Sequence, residues 1–221
     1  MTTTLNHQPG KAGAAAYTKP VLAFYDLSAL QINCRFIWKC SPPVLLAHYN
    51  EYVTGNHIDV GVGTGYFLSH CRFPGPTPRL ALMDLNANSL DVTAKRVAHY
   101  NPRLYQHDVL TPISFDEERF DSLGMMNLLH CLPGNMASKA AVFDHIKVLL
   151  NPGAVLFGST ILGSGVQHSS LGTRILHYCN AKGYLSILDD DAGGLEKSLK
   201  SHFDESTVKI QGRMALFSAR Y

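Results

Sequence analysis

The segment HIDVGVGTGYF, from His57 to Phe67, constrains the fold more than any other part of the chain. An apolar, β-like run ends in three glycines at alternate positions, Gly61, Gly63 and Gly65, and a helix-compatible stretch follows. A strand that turns through glycines into a helix is the opening unit of an open α/β sheet, whose ligand sits beyond the carboxyl ends of the strands. The rest of the chain must then supply the alternation that such a sheet needs.

It does. A helix expected from about residue 65 to 72 stops at PGPTP, and the strand RLALMDLN leads to a helix opened by Asn88 or Ser89 that carries Leu90, Ala94, Val97 and Ala98. RLYQHDVL and FDSLGMMNLLHCL read as the third and fourth strands. A helix capped near Asn135 then places Ala141, Ile146, Leu149 and Leu150 on one face, before an Asn151-Pro152-Gly153 turn and the buried strand AVLFGSTIL. Residues 168–185 read as helical, and Asp189-Asp190-Asp191 as the solvated start of a helix LEKSLKSHF. STVKIQ and MALFSARY, separated by Gly212-Arg213, read as a closing hairpin. The predicted fold is a Rossmann-like, doubly wound sheet of seven strands, mostly parallel with an antiparallel C-terminal hairpin.

Ahead of the first strand, residues 1–20 read as a flexible tail and residues 21–56 as a helical cap on a core formed by residues 57–221. At 221 residues, with 46% hydrophobic and 16% charged, the chain holds material for one packed domain. The 19 Lys and Arg against 17 Asp and Glu are scattered, without the basic stripe that nucleic-acid binding calls for. Five cysteines with no zinc-ligand spacing read as reduced thiols. Neither a secretory leader nor a membrane-spanning run is recognisable, so a cytoplasmic protein is expected, with homodimer formation left open.

The glycine spacing is G-x-G-x-G. Dinucleotide loops use G-x-G-x-x-G or G-x-G-x-x-A, and Tyr66 stands where their third small residue belongs, which argues against NAD or FAD. The ordered set DVGVGTG, LALMDLN, QHDVL, FDSLGMMNLLHCLP and LLNPGAVLFGSTIL, from about His57 to Leu162, resembles the successive motifs of the class I S-adenosylmethionine-dependent methyltransferases.

That resemblance implies S-adenosylmethionine as cofactor, without any pyrophosphate to bind. The glycines would let the backbone approach the ligand closely. Asp84 suits acceptance from the two ribose hydroxyls. By resemblance, Asp108 takes the adenine amino group and Val109 and Leu85 sandwich the ring, while Asp59 holds the loop or accepts from the ligand's amino group. Asn86 and Asn127, at strand ends, complete the expected cofactor set. An Arg or Tyr from the cap commonly meets the cofactor carboxylate in such enzymes, which singles out Arg35 and Tyr25.

Methyl transfer from a sulfonium is an in-line displacement that depends on holding the acceptor on axis and excluding water. His130 is the candidate general base, because its ordinary pKa suits neutral pH, and Tyr25 is the second catalytic candidate. No metal ligand set is expected. The fourth strand lacks the Asn/Asp-Pro-Pro-aromatic motif that stacks a flipped base, so a small-molecule acceptor is expected, with secondary metabolism as a candidate setting and oxygen, sulfur, nitrogen or carbon as the acceptor atom. Two rivals are a cofactor-binding relative with a non-methylating reaction and an NAD-type oxidoreductase.

Overall fold

The computed structural model describes residues 26–221, with side chains from residue 32 onward. The expected tail and Tyr25 lie outside the described residues. The strands are β1 (Asn56–Val60), β2 (Arg79–Asp84), β3 (Arg103–Gln106), β4 (Phe120–Met126), β5 (Leu150–Ile161), β6 (Glu205–Gln211) and β7 (Met214–Arg220). They form one sheet in the order β3-β2-β1-β4-β5-β7-β6. Pairings from β3 across to β5 are parallel, and β7 runs antiparallel to both β5 and β6. The order reverses between β1 and β4, and the glycine turn opens at that crevice.

Alternate residues of the strands feed two cores, as the two-residue side-chain period requires. Ile58, Val60, Ala81, Met83, Leu123 and Met125 pack with α5 (Ala141–Lys147) and α7 (Ala192–His202). Leu80, Leu82, Met126 and Phe157 pack with α1 (Pro42–Tyr52) and α6 (Ser170–Ala181) on the other face. Burial on both faces explains why these strands read as nearly continuous apolar runs.

A π-helical segment, Asp26–Ile37, precedes α1 and adds Cys34, Ile37 and then Trp38 to the second core. The closing hairpin anchors it: Arg213 gives its backbone N–H to the Trp38 carbonyl at 2.7 Å and a guanidinium N–H to the Ile37 carbonyl at 2.7 Å. The remaining α-helices among the described residues are α2 (Tyr66–His70), α3 (Ala87–Arg96) and α4 (Met136–Lys139).

Several boundaries move. Asn86, not Asn88 or Ser89, caps α3, because its side chain accepts the Asn88 N–H at 2.8 Å. β3 stops at Gln106, so Asp108 stands in the loop beyond it. The helix capped by Asn135 breaks at Ala140 into α4 and α5. The Asn151-Pro152-Gly153 turn is absorbed into the start of β5 as a register shift against β4, where Gly153 donates its N–H to the Tyr221 carbonyl. Asp191 does cap α7, accepting from Gly194 N–H at 2.7 Å. Its neighbour Asp190 corrects the expectation of a solvated run: it is buried against Lys139.

Candidate active site

The turn after β1 holds Gly61, Gly63 and Gly65 at φ of 74°, 54° and 72°, a region that side-chain-bearing residues rarely adopt. A Cβ on Gly65 would come 2.7 Å from Thr93 Cγ2 on α3, and one on Gly61 2.7 Å from Leu128 Cδ1. At Gly63 the same atom would meet open space, so that face of the loop is free for close approach. The small residue that lets loop and helix pack is therefore Gly65 itself. Tyr66 is the first residue of α2 and stacks on His70, with ring centroids 4.4 Å apart. Thr93 ties the turn down by donating its hydroxyl to the Gly63 carbonyl at 3.1 Å, and Arg96 donates to the Thr64 carbonyl at 3.0 Å.

The turn walls one side of an open cleft at the carboxyl ends of the parallel strands. Asp59, Gly61, Gly63, Gly65, Asp84 and Leu85 line it, together with Asn86, Asp108, Val109 and Asn127. Asp84 ends β2 with one carboxylate oxygen 2.8 Å from Asn86 N–H and the other 3.4 Å from Gly63 N–H. Burial pushes its carboxyl above the usual range, opposed by donation from the Asn86, Gly63 and Val62 backbone. Asp108 accepts from Leu110 N–H at 3.0 Å, which sets the loop that brings buried Val109 to the wall.

Asn127 follows β4 in the left-handed region, at φ 59°. Its N–H reaches the Ser159 carbonyl at 2.9 Å and its side-chain oxygen accepts from the Ser159 hydroxyl at 2.8 Å. The amide orientation is thus fixed by β5, with the NH₂ group left for other partners.

Two expected site residues stand elsewhere. Arg35 is exposed, its guanidinium 5.6 Å from the Phe36 ring, and does not line the cleft. His130 is buried behind the wall: its Nδ1 accepts from Ile161 N–H at 3.2 Å, and its carbonyl accepts from Ser186 N–H at 3.0 Å. Burial, with the Lys139 ammonium nearby, pushes its pKa down to about 3. An imidazole so held stays neutral at ordinary pH and is a weak proton acceptor. Conversely, His107, Leu128, Leu132 and Pro133 line the cleft, although none of them stands among the residues expected there. For His107 the one signal in the sequence is that it directly precedes Asp108.

The electrostatic character of the cleft is one-sided. Its lining carries three carboxylates, from Asp59, Asp84 and Asp108, and no Lys or Arg among the described residues. A diphosphate would meet repulsion there, whereas a ligand that is cationic and rich in hydrogen-bond donors would not.

Residues 58–156 match the family model described as Methyltransferase domain. The chain is 36% identical to demethylluteothin O-methyltransferase of Streptomyces thioluteus, over 94% of this chain and 90% of that protein. It is also 36% identical to a physcion biosynthesis cluster O-methyltransferase of Aspergillus chevalieri, over 96% of each. Among solved structures, a DhpI complex with SAH shares the fold, with a TM-score of 0.69, 13% identity and 98% of both chains covered. The acidic cleft at the switch point, the β3-β2-β1-β4-β5-β7-β6 sheet and these likenesses agree, and the chain belongs to the class I S-adenosylmethionine-dependent methyltransferases.

Proposed function

We propose that this methyltransferase methylates a hydroxyl oxygen on an apolar small molecule, of the phenolic or enolic kind found in secondary metabolism. The observation that carries the reading is the composition of the cleft: three carboxylates and no Lys or Arg among its described lining residues, with Met126, Leu128, Leu132 and Pro133 adding apolar wall. Three carboxylates match the three donor groups of S-adenosylmethionine. In this reading Asp59 faces its ammonium, Asp84 accepts from the ribose diol and Asp108 takes the adenine amino group, with Leu85 and Val109 against the ring.

Bound there, the cofactor supplies a methyl group on a sulfonium, an electrophile strong enough to need little more than an aligned nucleophile. The protein holds the two reactants and excludes water, and Asn127, locked by Ser159, lines the cleft. His130, sealed behind the wall, is not placed to take the acceptor's proton, and a phenol or enol, which releases its proton more readily than an aliphatic alcohol, depends least on such a base. The two named O-methyltransferases support oxygen as the acceptor atom. Five free cysteines support a reducing, cytoplasmic setting, and no described helix is long and apolar enough to cross a membrane.

The test is methyl-labelled S-adenosylmethionine offered with matched panels of phenols, aliphatic alcohols, thiols and amines, with products identified by mass. Label in phenols or enols is the expected result. Transfer confined to amines or thiols overturns the oxygen assignment, and absence of transfer to the whole panel with intact cofactor binding overturns the acceptor class.

A further inference from the structure

The carboxylate of Asp59 is set by a buried chain of side chains that begins on the neighbouring strand β4. His57 and Asp59 lie two apart on that strand and so share the face toward α1. Tyr49 of α1, fully buried, donates its hydroxyl to Asp59 Oδ2 at 2.6 Å and lies 2.8 Å from His57 Nε2. His57 Nδ1 lies 2.8 Å from Ser122 Oγ on β4, and that oxygen accepts from Thr54 N–H at 3.0 Å.

Counting protons fixes the direction of the last two links. Tyr49 has one hydroxyl proton and gives it to the carboxylate, so its oxygen must accept from Nε2–H of His57. His57 Nδ1 faces the Ser122 hydroxyl, whose oxygen also lies 2.9 Å from Thr54 Oγ1. Donation runs His57 to Tyr49 to Asp59, the first bond polarising the second toward the carboxylate.

The geometry is held tightly. The Tyr49 ring stacks on Phe67 at 5.7 Å and meets Phe157 edge-on at 5.1 Å, while His57 stacks on Phe157 at 5.8 Å. Gly124, the β4 partner of Asp59, makes room for this, since a Cβ there would come 3.2 Å from His57 Cε1.

We infer that Tyr49 is a positioning residue for the amino-acid end of the cofactor: with His57 and Ser122 behind it, it orients the Asp59 carboxylate so that its remaining lone pairs accept from the ligand's ammonium group. The inference rests on the reading of Asp59 given above. A network that merely fastens α1 to the sheet would support every part of the ligand equally, whereas this one acts on one end.

Calorimetry on the full chain with two ligands separates these roles: S-adenosylhomocysteine, and 5′-methylthioadenosine, which has the nucleoside and thioether without the amino-acid end. Tyr49→Phe keeps the ring packing and loses only the hydroxyl. It is expected to weaken S-adenosylhomocysteine by about 5- to 30-fold, as for one hydrogen bond to a charged group, and to leave 5′-methylthioadenosine within about 2-fold. KM for the cofactor should rise while kcat at saturation holds. Equal losses for both ligands, or none for either, overturn the inference. Ser122→Ala, which leaves both rings in place, should show the same selectivity at about 2- to 4-fold; if Tyr49→Phe does not fold, an unselective Ser122→Ala overturns it. Asp59→Asn distinguishes the two failures. If it binds S-adenosylhomocysteine as wild type does, the Asp59 reading is wrong; if it loses affinity while Tyr49→Phe does not, only the positioning role falls.

Discussion

Lys139 and Asp190 form an ion pair with both side chains sealed from solvent, joining α4 to the turn that precedes α7. The same ammonium donates to the Ser186 carbonyl, and Ser186 in turn donates its N–H to the His130 carbonyl and its hydroxyl to the Gly134 carbonyl. The loop after α6 is thereby fastened to the segment whose other side, Cys131 to Pro133, walls the cleft. Removing one partner leaves the other charge buried alone. Lys139→Met should cost about 3–5 kcal/mol in urea unfolding, and adding Asp190→Leu should recover most of it, since a buried pair replaced by apolar groups is often near neutral. A double variant as unstable as the single one would contradict this account.

Gly65 and Thr93 make a second test of packing. Gly65→Ala places a Cβ 2.7 Å from Thr93 Cγ2 in a left-handed backbone, so it should lower stability by about 1–3 kcal/mol and weaken S-adenosylhomocysteine binding with it. Thr93→Ser removes the offending methyl but keeps the hydroxyl that holds the Gly63 carbonyl. Combined with Gly65→Ala it should restore part of both losses, the backbone cost remaining. Thermal melts and calorimetry on the four proteins measure this, and purely additive effects would show that the two atoms do not collide.

Asp84 predicts how cofactor affinity depends on pH. Its carboxylate must be ionised to accept from both hydroxyls of a diol, and burial raises its pKa above the ordinary 3.8. Affinity for S-adenosylhomocysteine should therefore fall as pH drops through that raised value, at a higher pH than an exposed carboxylate would allow. Asp84→Ala should weaken binding by about 1–3 kcal/mol at neutral pH and abolish this acid limb. An unchanged affinity or an unchanged pH profile in the variant would remove the ribose assignment.

His130 makes a prediction about stability. Its folded pKa, about 3, lies below the ordinary 6.5, so the unfolded chain binds the proton that the fold refuses. Stability should be unaffected by this group above pH 6.5 and decline as pH falls from there toward 3, by about 2 kcal/mol at pH 5. His130→Asn keeps an acceptor for Ile161 N–H and removes the titration. Its unfolding free energy should fall less steeply between pH 7.5 and 5 than that of the wild type, and parallel curves would show that His130 is not held neutral.

Legibility in the sequence divides along the range of the interactions involved. The strand, glycine turn and helix around Gly61 to Gly65, the carboxylates at strand ends and the caps at Asn135 and Asp191 are local patterns, set by backbone conformation within a few residues. His57 and Asp59 carry a further hint, since two polar residues on one face of an otherwise apolar strand must find buried partners. Nothing local names those partners.

The sequence by itself determined the fold class, the place of the glycine turn and the order of the acidic residues around it, because a strand-to-helix turn and a two-residue alternation impose their requirements on neighbouring positions. Tertiary structure alone decided that Arg35 stands away from the cleft, that His130 is buried and neutral, that Asp190 pairs with Lys139, and that Tyr49 rather than solvent completes Asp59. These depend on which helix covers which end of the sheet. Packing between residues far apart in the chain sets burial, and burial decides whether a polar side chain faces the ligand, a partner or water.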